Sequence, residues 1–270
     1  MSNSVFIPNP VMDRMRSGEP ALGMNLRMGR SGDAVRVAKS SGHDFIFIDT
    51  QHSLFNRETV GNMAHIALSC GIAPMVRVRS VNDPDVALYL DNGVTGIIFP
   101  DVNTAADAQK GVDAAKFAPF GKRSVAGVYP HFDFRALPAF QAIPALNDAA
   151  LVVCMIETRE GLDNVEKIAA VPGVDVIHVG SNDLLTNMGK AGQYDDPEII
   201  AAQERVIAAA RAHGKFAGIG GNRDVARQVL AVRKGCLFVT TQTDIGFLSA
   251  AATQWTTGVR AALAAAPKST

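Results

Sequence analysis

The sequence predicts an α/β protein folded as a (β/α)8 TIM barrel, and three observations carry that expectation. About eight short apolar runs are each followed by a helical pattern. The runs are continuous instead of alternating, as parallel strands buried on both faces are. Eight such units over ~250 residues match the spacing of this barrel, and the chain has 270 residues. A doubly wound open sheet would carry a glycine fingerprint after its first strand, and residues 23–32 lack one. The chain, 1–270, reads as one barrel domain.

Residues 1–19 form a lead-in with a short helix at 11–16, and 21–26 is the first strand. The turn Ser31-Gly32-Asp33 starts a helix that Gly42 ends, and 45–48 is an apolar strand closing on Asp49. A helix at 57–69 leads through Gly71 to a strand at 74–79. Asp83 caps a helix reaching Asn92-Gly93, 95–99 is a strand stopped by Pro100-Asp101, and 105–115 is a helix. The period then breaks. Residues 117–148 hold several prolines and six aromatics, a long irregular loop of the kind that binds or covers ligands. It is expected to shape the site of the second substrate, with its aromatics favouring a less polar one. Next come a strand at 151–156 ending in Glu157, a helix closed by Gly173, and a strand at 174–179 ending in Gly180-Ser181-Asn182-Asp183. After a polar loop at 187–196, a helix spans 197–213, a strand 216–219, a helix 223–234 and a strand 236–240. The C-terminal helix covers 244–265.

Composition narrows the function. Hydrophobic residues make up 47% and charged ones 19%, with 26 basic against 26 acidic side chains. No basic excess points to nucleic acid or an anionic membrane. The first twenty residues lack a signal-peptide run and nothing reaches the ~20 apolar residues of a span. Cys70, Cys154 and Cys236 show no ligand spacing and read as buried thiols of a reducing compartment, the cytoplasm.

In a barrel, residues at the C-terminal ends of strands meet in one mouth. Here these are Asp49 and His52, Arg77, Glu157 and Asp183. Glu157 and Asp183 end neighbouring strands and offer only hard oxygens, which suit Mg²⁺ or Mn²⁺ with positions left for water and a chelating substrate. The bland alternative is that each is an acid at a helix N-terminus. His52, three residues past Asp49, fits a general base oriented by that aspartate, or a histidine capping a turn. Arg77 in an apolar strand needs an anion, from the protein or a substrate; Arg79 competes for that role. Asp91, at a helix C-terminus, calls for a cationic or histidine partner, from this chain or another subunit, or solvent. His43, His65, His131, His178 and His213 read as structural or surface residues. Gly121-Lys122-Arg123-Ser124 is not a P-loop, because Lys116 stands where its first glycine belongs.

The segments FIFIDTQHS, MVRV, LDNGVTGIIFP, FGKRS, MIETREGLDN and HVGSNDL together resemble the HpcH/HpaI aldolase family of class II pyruvate aldolases. Its members include 2-dehydro-3-deoxyglucarate and 4-hydroxy-2-oxoheptanedioate aldolases. The resemblance implies a TIM barrel in a hexamer or trimer, with the last helix exchanged between subunits. It implies that Glu157 and Asp183 hold Mg²⁺, Mn²⁺ or Co²⁺, and that Arg77 binds pyruvate and its enolate oxygen. Ser181, Asn182 and Asp183 would bind substrate, the amides of the last two receiving its carboxylate. His52, with Asp49, would move the aldol proton, and Asp91 would approach from a neighbour. Family members commonly carry glutamine where this chain has Met155, so one polar contact to substrate or metal-bound water is missing. The implied reaction joins or cleaves 4-hydroxy-2-oxo acids as pyruvate plus an aldehyde. Alternatives are oxaloacetate decarboxylation or a macrophomate synthase-like transfer of the same enolate, and a non-catalytic binding or assembly barrel.

Overall fold

In the computed structural model, which describes residues 5–265, eight parallel strands close into a barrel in the order β1 to β8. The strands are β1 (Ala21–Leu26), β2 (Phe45–Asp49), β3 (Ala73–Arg77), β4 (Gly96–Phe99), β5 (Leu151–Ile156), β6 (Val176–Gly180), β7 (Phe216–Gly220) and β8 (Cys236–Thr243). Each sends alternate side chains inward. On β2 the inward set is Phe45, Phe47 and Asp49; on β3 it is Ala73, Met75 and Arg77. Apolar residues therefore fill the lower barrel, and the polar ones emerge at its C-terminal end. Bulky fillers need small neighbours. A Cβ on Gly23 would stand 2.1 Å from the Phe45 ring and one on Gly96 would stand 2.4 Å from Met75.

Helix α1 (Pro10–Arg16) plugs the opposite end, placing Val11, Met12 and Met15 against the inner core. Asn9 sets its position: the side chain caps the Val11 and Met12 amides and donates to the Ala149 carbonyl at 2.9 Å. Outside the barrel lie α2 (Gly32–Ser40), α3 (Arg57–Cys70), α4 (Val86–Asp91) and α5 (Ala105–Ala115), then α6 (Ala139–Ala149). The circuit continues with α7 (Arg159–Asp163), α8 (Val165–Ala169), α9 (Ser181–Asn187), α10 (Pro197–Ala212) and α11 (Val225–Lys234). Their apolar faces and the outward strand residues form the larger core.

Two sequence expectations change. The segment 117–148 is not wholly irregular: it holds a 3₁₀ turn (Pro130–Phe132) and most of α6, with Pro144 inside that helix. Tyr129 and Phe132 pack with Phe117, Leu146 and Ile7 in a small separate core, away from the mouth. Asp83 does not cap α4, because Asp85 stands at that position and Asp83 accepts from Arg79 instead. The last helix, α12 (Asp244–Ala265), follows β8 directly. Nothing in it is buried, although it carries Phe247, Leu248, Trp255 and Leu263.

Near the plugged end, His131 Nε2 donates to the Val94 carbonyl at 3.2 Å. Burial pulls its pKa down to about 4, with Arg123 and His65 pushing the same way. A folded-state value below the unfolded ~6.5 means this histidine supports folding above pH 6.5 and loses that support as pH falls toward 4. His131→Gln is expected to reduce the acid-induced stability loss between those pH values by about 3 kcal/mol. Denaturant unfolding at pH 7 and pH 4.5 measures it; an unchanged pH slope would contradict this assignment.

Candidate active site

The barrel mouth holds a cavity of about 300 Å³ lined by Asp49, His52, Arg77, Met155, Glu157 and Asp183, together with residues from β1 and β6 to β8. Seven of the sequence-predicted residues, Asn182 among them, thus converge there. Period two explains it: Asp49, Arg77 and Glu157 each stand at, or one residue past, the end of a strand, on its inward side.

Arg77 and Asp49 form one unit. Arg77 Nε donates to Asp49 Oδ1 at 3.1 Å and a terminal nitrogen donates to Oδ2 at 2.8 Å. The guanidinium also lies 5.3 Å from the Phe47 ring centroid. Both side chains are buried, so each charge needs the other. A planar fork bound on one edge keeps donors on its other edge for a second anion. Arg79 is excluded from the mouth by its own pairing to Asp83 at 2.9 Å. The expected hydrogen bond from the His52 ring to Asp49 is absent. Asp49 Oδ1 accepts the backbone N–H of His52 at 3.2 Å, which fixes the turn, and no described residue hydrogen-bonds to the imidazole. The ring is exposed at the mouth and open to a substrate.

Glu157 sits deeper. Its Oε2 accepts the Asp101 amide at 2.9 Å. Asp101 holds φ at 52°, the left-handed region, which costs of order 1 kcal/mol for a residue with a side chain and aims that amide. Gly180 leaves room for the carboxylate: a Cβ there would stand 2.6 Å from Glu157 Oε1. Burial pushes the Glu157 carboxyl up to about 7, the Asp101 and Asp183 charges adding to this while the Asp101 amide and Arg77 oppose it. A buried carboxylate facing a second one is stabilised by a shared cation. The donor set fits a hard divalent ion that takes the rest of its shell from water and substrate. Among the described residues no group of three or more His, Cys, Asp or Glu could hold a metal by itself.

Asp183 and Asn182 open α9, and Ser181 is buried beneath them with its hydroxyl unpartnered among the described residues. Gly221, at φ 85°, approaches the Asn182 amide so closely that a Cβ would stand 3.0 Å from it. The Asn182 side chain is held by the Tyr194 hydroxyl. Asp91 is not in the mouth. Its partner is the buried Arg123 of the same chain, at 2.6 Å, where the sequence left open a partner in another subunit.

Several lining residues were not singled out from sequence: Asn25, Arg27, His178, Arg223, Thr240 and Gln242. Asn25 and Arg27 follow from period two on β1. Gln242 lies beyond the predicted end of the last strand, which runs to Thr243. His178 pairs in register with Met155 and is fully buried, with burial pulling its pKa down to about 3. Glycine neighbours make its room: Cβ atoms on Gly218 and Gly220 would stand 2.6 Å from the ring. No residue of 117–148 lines the cavity, so the aromatics there do not shape it.

Comparison with known proteins matches residues 27–263 to the HpcH/HpaI aldolase/citrate lyase family. A 4-hydroxy-4-methyl-2-oxoglutarate aldolase of Hapsidospora irregularis is 38% identical over 80% of this chain and 81% of its own. A hydroxypyruvate/pyruvate aldolase of Rhizorhabdus wittichii is 37% identical over 94% and 99%. The crystal structure of an HpcH/HpaI aldolase from Desulfitobacterium hafniense superposes with a TM-score of 0.86 at 26% identity, covering 95% of this chain and 97% of that one.

Proposed function

The chain belongs to the HpcH/HpaI aldolase/citrate lyase family, and on that footing we propose that it is a class II aldolase that cleaves or forms 4-hydroxy-2-oxo acids. The products of cleavage are pyruvate, or a close analogue, and a carbonyl fragment. The observation that carries this is that the buried Glu157 lines one cavity with Asp183, beside the Arg77–Asp49 unit. Glu157 and Asp183 would hold Mg²⁺ or Mn²⁺, which supplies Lewis-acid polarisation of a 2-oxo acid when bound. The free edge of the Arg77 guanidinium binds the oxygen that gains charge as the C3–C4 bond breaks. Asp49 keeps that guanidinium aimed. His52 removes the C4 hydroxyl proton during cleavage and returns it during condensation. The amides of Asn182 and Asp183 receive the substrate carboxylate.

A panel of 4-hydroxy-2-oxo acids tests this reading. Pyruvate and a carbonyl product should appear in equal amounts, stop on chelation and return with Mg²⁺ or Mn²⁺. Release of CO₂ from oxaloacetate without cleavage of any aldol would favour the decarboxylase reading instead. The buried thiols of Cys154 and Cys236, pushed up to about 12 by burial, take no part. Free cysteines fit a reducing cytoplasm, and no described helix is long and apolar enough to cross a membrane.

We also read α12 as the contact that builds a homo-oligomer, a trimer or hexamer, by docking on another copy. Its exposed Phe247, Leu248, Trp255 and Leu263 leave apolar area that a lone chain does not cover. Asp91 enters the reaction only through such an assembly. Light scattering should give a multiple of the chain mass, and Trp255→Glu should shift it toward the monomer. A monomeric parent protein would reject this.

A further inference from the structure

Of the two histidines that line the mouth cavity, His52 is exposed and His178 is buried. No described residue hydrogen-bonds to either nitrogen of the His178 ring, and Nδ1 is sealed from solvent. Buried polar atoms are nearly always partnered, so such an atom calls for an explanation. Along β7 the ring spans two glycines. A Cβ on Gly218, which stands opposite His178 in register, would lie 2.6 Å from Nδ1. A Cβ on Gly220, at the mouth end of the strand, would lie 2.6 Å from Nε2. The ring therefore points Nε2 up toward the cavity. The Phe238 ring, 5.4 Å away at 87°, holds its plane.

Burial, and after it the charge of Arg77, pulls the His178 pKa down to about 3, so the imidazole is neutral and carries one N–H. On Nδ1 that N–H would be a buried donor without an acceptor, the costlier place to leave it. On Nε2 it becomes a donor aimed into the site. Met155, the partner of His178 in register on β5, and Phe47 offer the lower cavity no hydrogen bond. Arg77 has one edge of its guanidinium committed to Asp49. We propose that His178 donates from Nε2 to the oxygen of the bound 2-oxo acid that gains charge, beside the free edge of Arg77. This rests on the aldolase reading above and adds a residue to it. A fixed neutral donor stabilises charge that develops in a buried site without reorganising. The ring neither takes up nor releases a proton, which leaves proton transfer to His52.

Two measurements on the Mg²⁺-loaded enzyme test this. Exchange of the pyruvate methyl protons in D₂O at saturating pyruvate reads the charge built on that oxygen and needs no acceptor. Nuclear magnetic resonance of ¹⁵N-labelled histidine rings, with His178→Phe to assign the signal, reads the proton directly. The His178 ring should carry its proton on Nε2, and that resonance should shift when pyruvate is added. His178→Phe should slow exchange by roughly 10- to 100-fold, the range for losing a hydrogen bond to a charged group, and melt no lower than the parent. His178→Gln extends an amide nitrogen to about the place of Nε2 and should restore most of the rate. His178→Asn, whose amide stops near the sealed Nδ1, should not. A proton on Nδ1, a resonance that pyruvate leaves unmoved, or parental exchange in His178→Phe overturns this assignment while the parent still exchanges. Absence of exchange in the parent overturns the aldolase reading and this inference with it.

Discussion

Glu157→Gln should lower pyruvate-releasing turnover by at least ~10²-fold at saturating Mg²⁺ or Mn²⁺ while leaving the barrel folded. Glutamine keeps the shape of the side chain and an acceptor oxygen for the Asp101 amide, which lies 2.9 Å away in the parent. It removes the charge that a divalent ion needs. The folding side has the opposite sign. Burial pushes this carboxyl up to about 7, so in metal-free protein its ionisation costs stability as pH rises from ~4.5 through 7. At pH 8 the metal-free variant should therefore melt no lower than the metal-free parent. Loss of turnover without loss of stability separates chemistry from packing, and undiminished turnover would reject the role given to Glu157.

Arg77→Lys should cost ~10²- to 10³-fold in both turnover and pyruvate proton exchange. Lysine keeps the charge beside Asp49, but it cannot grip both carboxylate oxygens and still present a planar edge to the substrate. Arg77→Met goes further, because it leaves the Asp49 carboxylate buried with only Arg27, 3.6 Å away, to balance it. Stripping one partner from a buried pair costs about 3–5 kcal/mol, less here by whatever Arg27 returns. The two variants thus divide the contributions: Arg77→Lys should lose activity with a near-parental melting temperature, and Arg77→Met should lose both. Equal activity of Arg77→Lys and the parent would remove Arg77 from the reaction.

Much of this site was legible because a barrel turns strand ends into neighbours. Asp49, Arg77, Glu157 and Asp183 stand far apart in the chain, yet each closes or follows an apolar run, and that alone placed them in one mouth. What each touches was not legible. Asp49 closes its strand and His52 comes three residues later, near enough to suggest a pair, but strand pairing puts Asp49 opposite Arg77 and commits its oxygens there. Arg223 and Gln242 were hidden by boundaries: the helix begins at Val225, not residue 223, and the last strand runs three residues beyond 240. His178 in an apolar run reads as core, and only the registered glycines of β7 reveal that it has room at the cavity floor. The segment 117–148 misled because prolines and aromatics describe a separate small core as well as they describe a binding loop.

Titration of the metal-free enzyme with Mn²⁺, followed by the loss of the free-ion electron paramagnetic resonance signal, addresses the carboxylate pair itself. One ion should bind per chain, and Glu157→Gln combined with Asp183→Asn should abolish it. Full binding by that double variant would contradict the centre built here.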